Sequence, residues 1–581
     1  MDNKQIAEIL EEIGTLLELR GENLFKCRAY HNASRVVAAL TTELSLLIES
    51  GEIKKVKGIG EGLAEKLAEL VDTGKLKYYE ELKKSLPSGL LDMLRIPGLG
   101  PKRIKILYDK LNITTIEKLK EAAEKKELEE LDGFGEKIEV NILKGIEQLK
   151  KHADKFLYPV AKKSADKIIS DLKKLKSVLQ IELAGSLRRK KEIIGDIDIL
   201  VSAKIKDTPK IMDAFVKYPD VAEVIAKGET KSSVILQNGI HCDLRVVSEA
   251  EFPFALAYFT GSKEHNVEMR SLSKKFGMSL NEYGFSEIGT EETRGKSKQK
   301  IKCKTESEIY KTLGLEFVVP ELRENSGELE AAATGKLPNL IEENDIRGTF
   351  HCHTKYSDGF NTLAEMAEAS QKLGWEYLGI AEHSKSAAYA GGLDENKVKQ
   401  QLEEIDGLNK SFKNFRILKG IEVDILSDGS LDFSDKILEL FDFVICAIHT
   451  KFNMPEKDMT RRIIKGMKNK YVTMLAHPTG RLLLEREPYP VNMFEIIKAA
   501  SDFGKVIEIN AHPSRLDLDW RLCKFAKKTG VKIAINPDAH NINSLTDVFY
   551  GVGIARKGWL EKSDVINTRS LKDITKYLNI K

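Results

Sequence analysis

AGSLRRKKEIIGDIDILV, residues 184–201, decides the character of the middle of the chain. A Gly-Ser turn is followed by two arginines and then by a D-x-D run among apolar residues. Side chains at i and i+2 share one face of a strand, so Asp196 and Asp198 point the same way. Asp243, in the later run HCDLRVV (241–247), adds a third carboxylate from a neighbouring strand. Three such carboxylates suit two Mg²⁺ ions, which take hard oxygen ligands and leave positions for substrate phosphates. Gly185 lets the backbone approach a triphosphate, and Ser186 and Arg189 offer donors to its oxygens. A lone D-x-D ordinarily marks a solvated strand edge. The Gly-Ser turn upstream and D-L-R-V downstream favour the metal site over it.

Around this stretch, LQIELAG (179–185), SSVILQ (232–237) and IHCDLRVV (240–247) read as further short strands. The first 150 residues differ: Leu, Ile, Lys and Glu recur at helical spacing, with no strand-like alternation. Three Gly-containing hairpins interrupt them, VKGIGEGLAEKL (56–67), IPGLGPKRIKIL (96–107) and LDGFGEKIEVNIL (131–143). A Gly-x-Gly turn between helices brings backbone N–H groups close to a phosphate, and such contacts position a duplex without reading its sequence. Gly58, Gly60, Gly98 and Gly100 are the candidates, with Lys102 and Arg103 adding charge. One copy is as well explained by an ordinary helical corner. Three copies favour helix-hairpin-helix DNA binding in at least the first two, while the third lacks a following basic pair.

Residues 321–345 (ELRENSGELEAAATGKLPNLIEEND) are polar, with Gly and Pro and no apolar period, and read as a linker. Beyond them strands and helices alternate, the signature of an α/β domain. Seven of the 11 histidines lie after residue 350, most just past an apolar run: TFHCHTKYSDG, GIAEHS, CAIHT, MLAHPTGR, INAHPSR and INPDAH. Glu422 follows ILKGI in the same manner. Ligands at the C-terminal ends of successive parallel strands converge on one mouth of a barrel. A chance core histidine would not recur in this register. Imidazole mixed with carboxylate suits Zn²⁺, Mn²⁺ or Fe²⁺ and leaves room for more than one ion.

Composition sets the frame. The 581 residues correspond to roughly four domains at about 150 each. Hydrophobic residues at 42% and charged residues at 31% describe a globular chain rather than a disordered one. No apolar run reaches the ~18 residues of a membrane span, and MDNKQIAEILEEIG reads as an amphipathic helix rather than a secretory signal. Six scattered cysteines without a CxxC pair point to a reduced cytoplasmic protein. The net charge is only +3, from 92 basic and 89 acidic residues, and both parts of the chain around Ile346 are close to neutral. Bulk charge thus makes no case for a polyanionic partner.

The motif set GS-x-R-R, GD-I-D and D-L-R resembles the nucleotidyltransferase palm of family X DNA polymerases, and YFTGSKEHNVEMR (258–270) resembles their nucleotide-binding segment. The resemblance covers residues 1–320. It implies Asp196, Asp198 and Asp243 as catalytic metal ligands, and Gly185, Ser186, Arg189 and Gly195 at the triphosphate. It implies Tyr258, Phe259 and Gly261 beside the sugar, Asn266 at the incoming base edge and Arg270 on the template strand. His241 and Lys263 depart from the vertebrate members, which often carry an arginine and an aspartate there. The family's N-terminal domain can cleave 5′-deoxyribose phosphate through a lysine imine. Alignment puts Lys66 on that nucleophile and Lys26 and Tyr30 on supporting positions, while Gly62 and Phe25 replace a lysine and a histidine common in active lyases. A solvated surface lysine remains an equal alternative for Lys66.

From Asp345 onward the chain resembles the PHP (polymerase and histidinol phosphatase) phosphoesterases, with a distorted seven-stranded β/α barrel and a trinuclear centre. The resemblance implies nine ligands: His351, His353, Asp358, His383, Glu422 as the bridging carboxylate, His449, His477, Asp538 and His540. His512 falls outside that pattern, and Arg481 is open to either phosphate binding or surface pairing.

The expected architecture is multidomain, α+β and α/β. It comprises a lyase-like helical domain (1–83), helical fingers (84–150), a mixed-sheet palm (151–250), a thumb (251–320), the linker (321–345) and the PHP domain (346–581). The expected function is template-directed filling of short gaps in DNA repair with two Mg²⁺ ions. A PHP centre holding up to three Mn²⁺ or Zn²⁺ ions would process 3′ ends, and abasic-site cleavage remains open beside it. The resemblance also implies a monovalent cation at the hairpins and gapped or nicked DNA and dNTPs as partners, and a cytoplasmic monomer without membrane attachment is expected. A template-independent nucleotidyltransferase fused to a small-molecule phosphatase is the alternative. The hairpins and Arg270 speak against it, since a small-molecule enzyme needs neither.

Overall fold

The computed structural model describes residues 1, 3–40, 43–56, 58–96, 98–152, 154–287 and 301–580. Lys57 and Pro97 of two hairpins and residues 288–300 of the expected thumb lie outside the described residues. The chain divides into two compact units. One holds Met1–Ala153 with Asp358–Met366 and His540–Ile542, and the other holds Asp154–Ser357, Ala367–Ala539 and Asn543–Lys581.

The N-terminal residues form helices α1 (Asn3–Arg20), α2 (Leu24–Ala39), α3 (Leu44–Glu49), α4 (Glu61–Thr73), α5 (Lys77–Lys84), α6 (Gly89–Met93), α7 (Pro101–Leu111), α8 (Ile116–Glu124) and α9 (Glu136–His152). Ile6, Leu10, Ile13 and Leu17 make one face of α1 and pack with Val37, Leu67 and Leu70. Each such residue, buried completely, contributes about 1.5–3 kcal/mol of transfer free energy. A second core gathers Met93, Ile104, Leu107, Leu119 and Ile142. The hairpins share one geometry. Gly58, Gly98 and Gly133 have φ of +99°, +81° and +84°, the left-handed region that favours glycine. Gly60 and Gly100 then cap α4 and α7. The third hairpin repeats the turn although it lacks the basic pair.

In the second unit the first sheet runs in the order β2–β4–β7–β6–β5. These are β2 (Gln180–Leu183), β4 (Asp196–Ser202), β5 (Val221–Lys227), β6 (Lys231–Leu236) and β7 (His241–Val247). The β4–β7 pair is parallel and the others antiparallel, giving the expected mixed sheet. Small ribbons pair β1 (Phe156–Leu157) with β3 (Ile193–Ile194) and β8 (Met278–Asn281) with β9 (Gly284–Glu287).

Seven parallel strands follow in sequential order: β10 (Gly348–Thr349), β11 (Tyr377–His383), β12 (Arg416–Asp424), β13 (Phe443–Ala447), β14 (Met474–Leu475), β15 (Val506–Asn510) and β16 (Ile533–Asn536). A parallel bridge between Cys352 and Ala539, and the bond from Phe350 N–H to Asn536 Oδ1, bring the two edges together in a nearly closed barrel. Strands buried on both faces read as unbroken apolar runs, as IRGTF, YLGIA, ILKGI, FVICAI, VTMLA, VIEIN and KIAIN do here. Among the described residues no helix is long and apolar enough to cross a membrane. All six cysteines are buried and unbridged.

Residues 321–345, which read as a linker in the sequence, are packed. Pro320–Leu322 and Glu328–Ala333 are helical, and Leu322, Leu329 and Ala332 join one core with Phe285, Tyr310 and Trp559. The segment looks polar because its buried positions carry charge. Arg323 and Glu328 are almost completely buried. Arg323 pairs with Glu306 at 2.7 Å and Glu321 with Arg556 at 2.8 Å. Buried charges persist where they are paired and hydrogen-bonded.

Candidate active sites

The D-x-D strand opens the first site. In the β4–β7 register Asp198 lies opposite Asp243 and Asp196 opposite His241. The helical turn Gly185–Arg188 closes over them, and the strand-to-turn connection is fixed by the bond from Ala184 N–H to the Asp198 carbonyl. Burial, followed by the charges of Asp196 and Asp243, raises the Asp198 pKa to about 7. Like charges crowded in a dry site favour the neutral form unless cations join them. Lys231 partly answers this, with Nζ 2.6 Å from Asp243 Oδ2, and Ser233 Oγ donates to Asp243 Oδ1 at 2.6 Å.

A cleft of about 390 Å³ opens beside the carboxylates. It is lined by Gly185, Ser186, Arg189, Asp196, Asp198, Tyr258, Phe259, Gly261, Lys263, Asn266 and Arg270. Every residue that the resemblance places at the nucleotide therefore stands here except Gly195, one position before Asp196. Ser186 Oγ is buried without a hydrogen bond, the state of a donor awaiting an oxygen. Arg189 is nearly buried and already held: its Nε donates to Glu324 Oε1 at 2.9 Å and its Nη1 to the Thr260 carbonyl. Asn266 Nδ2 donates to the Tyr258 carbonyl at 2.7 Å. Convergent carboxylates and an unused hydroxyl fit divalent cations with a phosphorylated substrate.

At the barrel mouth Glu422, on β12, is the centre. Its carboxylate lies 2.8 Å from His383 Nδ1, 3.0 Å from His477 Nε2, 3.3 Å from His449 Nε2 and 3.4 Å from His351 Nε2. Burial would raise its pKa, yet His351, His449 and His383 together hold it well below the usual carboxylate range. Within the barrel's own unit, candidate metal groups with ligand atoms within 4.8 Å of one another are His351, His353 and Asp538, and His383, Glu422 and His449. Asp358 and His540 form a pair at 3.4 Å. Nε2 of His351, Nδ1 of His477 and Oε2 of Glu422 are buried without an aligned hydrogen bond, as expected of groups that meet a cation. His477 and Asp538 hold φ of +25° and +53°, uncommon backbone that persists where the surroundings determine it.

Several residues here carried no signal in the sequence. Glu508, on β15, accepts from His351 Nδ1 at 2.8 Å, from the His477 backbone at 2.7 Å and from Asn536 at 2.9 Å. It thereby turns His351 Nε2 toward the mouth. Asp424 does the same for His449 Nδ1 at 3.1 Å. Both sit inside apolar runs, where one carboxylate has no period to betray it. Arg515 lies 3.7 Å from Asp538. His512 turns to Ser514, with Nδ1 2.8 Å from Oγ. Arg481 belongs to a structural joint, donating to Asp519 at 2.8 Å and lying 3.9 Å from Glu192.

In the helical unit Lys26, Tyr30 and Lys66 surround Tyr78. The Lys66 and Lys26 ammonium groups stand 5.3 and 5.8 Å from its ring centre, and Tyr30 stacks on it at 6.2 Å. Lys66 also donates to the Gly62 carbonyl at 3.1 Å. Arg103 donates to the Gly98 carbonyl at 2.7 Å, bracing its hairpin, and Lys102 beside it is exposed.

Family models match a helix-hairpin-helix domain over residues 1–76 and a SAM-like helix-hairpin-helix tandem over 90–148. They match a DNA polymerase beta thumb over 255–324 and a PHP domain over 349–512. The tandem takes in the third hairpin. The chain is 39% identical over its 581 residues to the DNA polymerase/3′-5′ exonuclease PolX of Bacillus subtilis (strain 168), covering 99% of that protein. It is 32% identical over 202 residues, 33% of its length, to a probable phosphatase of Thermoanaerobacter sp. (strain X514), of which it covers 77%. A probable phosphatase of Acetivibrio thermocellus is 30% identical over the same length, with 78% covered.

Proposed function

Because the chain belongs to the family X DNA polymerases that carry a C-terminal PHP domain, we propose that it fills short gaps in DNA by template-directed nucleotidyl transfer and trims 3′ ends at a second metal centre. The observation that carries the first half is the register that sets Asp198 opposite Asp243, with Asp196 two residues away on the same strand. Asp196, Asp198 and Asp243 hold two Mg²⁺ ions in this proposal. Bound there, divalent cations supply the positive charge that transfer requires at the phosphate oxygens.

The remaining work falls to the chain itself. Ser186 donates to the triphosphate, Arg189 presents a held guanidinium, and Gly195 keeps the approach to Asp196 open. Tyr258, Phe259 and Gly261 flank the sugar, Asn266 meets the base edge, and Arg270 meets the template strand. Gly58, Gly60, Gly98 and Gly100, with Lys102 and Arg103, hold the flanking duplex of gapped or nicked DNA through its phosphates, with a monovalent cation at the turns. In the PHP centre His351, His353, Asp358, His383, Glu422, His449, His477, Asp538 and His540 hold up to three Mn²⁺ or Zn²⁺ ions. The substrate is a 3′ end. The primer end is common to both reactions, so tethering raises the effective concentration of one centre for the other's product. The protein acts as a cytoplasmic monomer in DNA repair.

Primer extension on gapped DNA, with and without a template strand and with Mg²⁺ or Mn²⁺, tests this. Template-dependent addition that is lost in Asp198→Ala while DNA binding survives is the expected result. Equal addition without template would favour a template-independent nucleotidyltransferase. Gathering of Lys26, Tyr30 and Lys66 around Tyr78 supports a second activity, removal of 5′-deoxyribose phosphate through a Lys66 imine.

A further inference from the structure

The helix Val548–Lys557 packs on the barrel strands β15 and β16 and on the turn Pro320–Leu322. Lys557 is 1% exposed. Its ammonium donates to the Arg189 carbonyl at 3.1 Å and to Glu324 Oε1 at 2.5 Å. That same Glu324 oxygen accepts from Arg189 Nε at 2.9 Å. The neighbouring Arg556 anchors the helix end to Glu321 at 2.8 Å. One barrel lysine therefore touches both the backbone of a cleft residue and the carboxylate that aims its side chain.

We infer that Lys557 is a positioning residue of the nucleotide site, through which the PHP part sets where the Arg189 guanidinium stands in the polymerase cleft. The inference rests on Arg189 being a triphosphate contact, as proposed above. The Glu324 side chain is only 8% exposed and is shared by two close cations, with Lys191 Nζ 3.7 Å from its other oxygen. Without Lys557, its charge falls mainly on Arg189. The guanidinium is then drawn toward Glu324 and away from an incoming anion, because an unscreened buried pair tightens when a competing cation is lost. The Arg189 carbonyl also loses its donor, which loosens the turn carrying Ser186. A contact that merely glued the two halves together would not single out dNTP affinity.

The test uses the full chain with Lys557→Met, which keeps the apolar stem and removes the charge. On gapped DNA with Mg²⁺, the KM for dNTP is expected to rise about tenfold while kcat stays within about twofold. Affinity for gapped DNA and Mn²⁺-dependent 3′-end degradation are expected to hold, and Lys557→Arg is expected to recover most of the loss. Glu324→Gln acts on the same guanidinium from the 321–345 segment. It is expected to raise the KM as well, and the double variant to fall short of the summed effects. An unchanged KM in a normally melting Lys557→Met overturns the inference. If that variant does not fold, an unchanged KM in Glu324→Gln does so. Equal losses of synthesis and 3′-end degradation also overturn it. Wild-type protein without template-directed extension would instead sink the underlying assignment.

Discussion

A Cβ on Gly185 would fall 2.1 Å from Oδ2 of Asp198. The residue that opens the Gly-Ser turn and the central palm carboxylate are thus packed against each other, with no room for a methyl group. Gly185 also holds φ of +61°, where a side chain adds about 1 kcal/mol or more of strain.

Gly185→Ala should therefore displace Asp198 by an ångström or so, and a shift of that size costs on the order of 100-fold in rate. Single-turnover extension on gapped DNA measures it. Binding of the DNA itself should change little, because the hairpins lie elsewhere in the chain. Extension at the wild-type rate would mean that Asp198 does not need its present position.

Asp198 also makes a pH prediction. Its carboxyl is raised from the ordinary 3.8 to about 7, by burial first and then by Asp196 and Asp243. Between about pH 4 and pH 7 the folded protein keeps a proton that the unfolded chain has released, so this group's contribution to stability falls as pH rises and is fully lost above about 7. Asp198→Asn removes the titration. In chelator, the variant's advantage over the parent should widen by on the order of 2–3 kcal/mol from pH 5 to pH 8. Urea midpoints at the two pH values measure it, and an equal gap at both would contradict the raised pKa. Adding Mg²⁺ at pH 8 should stabilise the parent more than the variant.

These carboxylates were legible because strand periodicity is local: i and i+2 share a face whatever the rest of the fold does. The histidines were legible for a similar reason, most of them sitting just past an apolar run. Glu508, Asp424 and Lys231 were not, because their roles depend on partners across strands that spacing along the chain does not reveal. Residues 321–345 misled for a physical reason. Arg323 and Glu328 are charged and almost completely buried, so composition imitates a solvated linker while pairing makes a packed joint.

The lyase prediction follows from Tyr78. Borohydride should trap a covalent adduct between the protein and DNA bearing 5′-deoxyribose phosphate if Lys66 forms an imine. Lys66→Ala should remove it, and Lys26→Ala should weaken it without abolishing it. Trapping that survives in Lys66→Ala would place the amine elsewhere.

The two metal centres should fail independently, even though the joint between their domains is packed. Asp196, Asp198 and Asp243 come from β4 and β7 of one sheet, and Glu422 from β12 of another. Glu422→Gln keeps the shape of the side chain while removing the charge shared by His351, His383, His449 and His477. Four imidazoles without their carboxylate bind divalent cations poorly, since the uncompensated positive charge stays in a dry pocket. Manganese content should fall, and Mn²⁺-dependent 3′-end degradation should drop by about 100-fold or more, as expected when a cation that makes the nucleophile is lost. His353→Ala and Asp538→Ala should behave alike, and His512→Ala should be mild. Template-directed extension should persist in all four, and Asp196→Ala should show the reverse pattern. Full 3′-end degradation by Glu422→Gln with wild-type metal content would move the nuclease out of the barrel mouth.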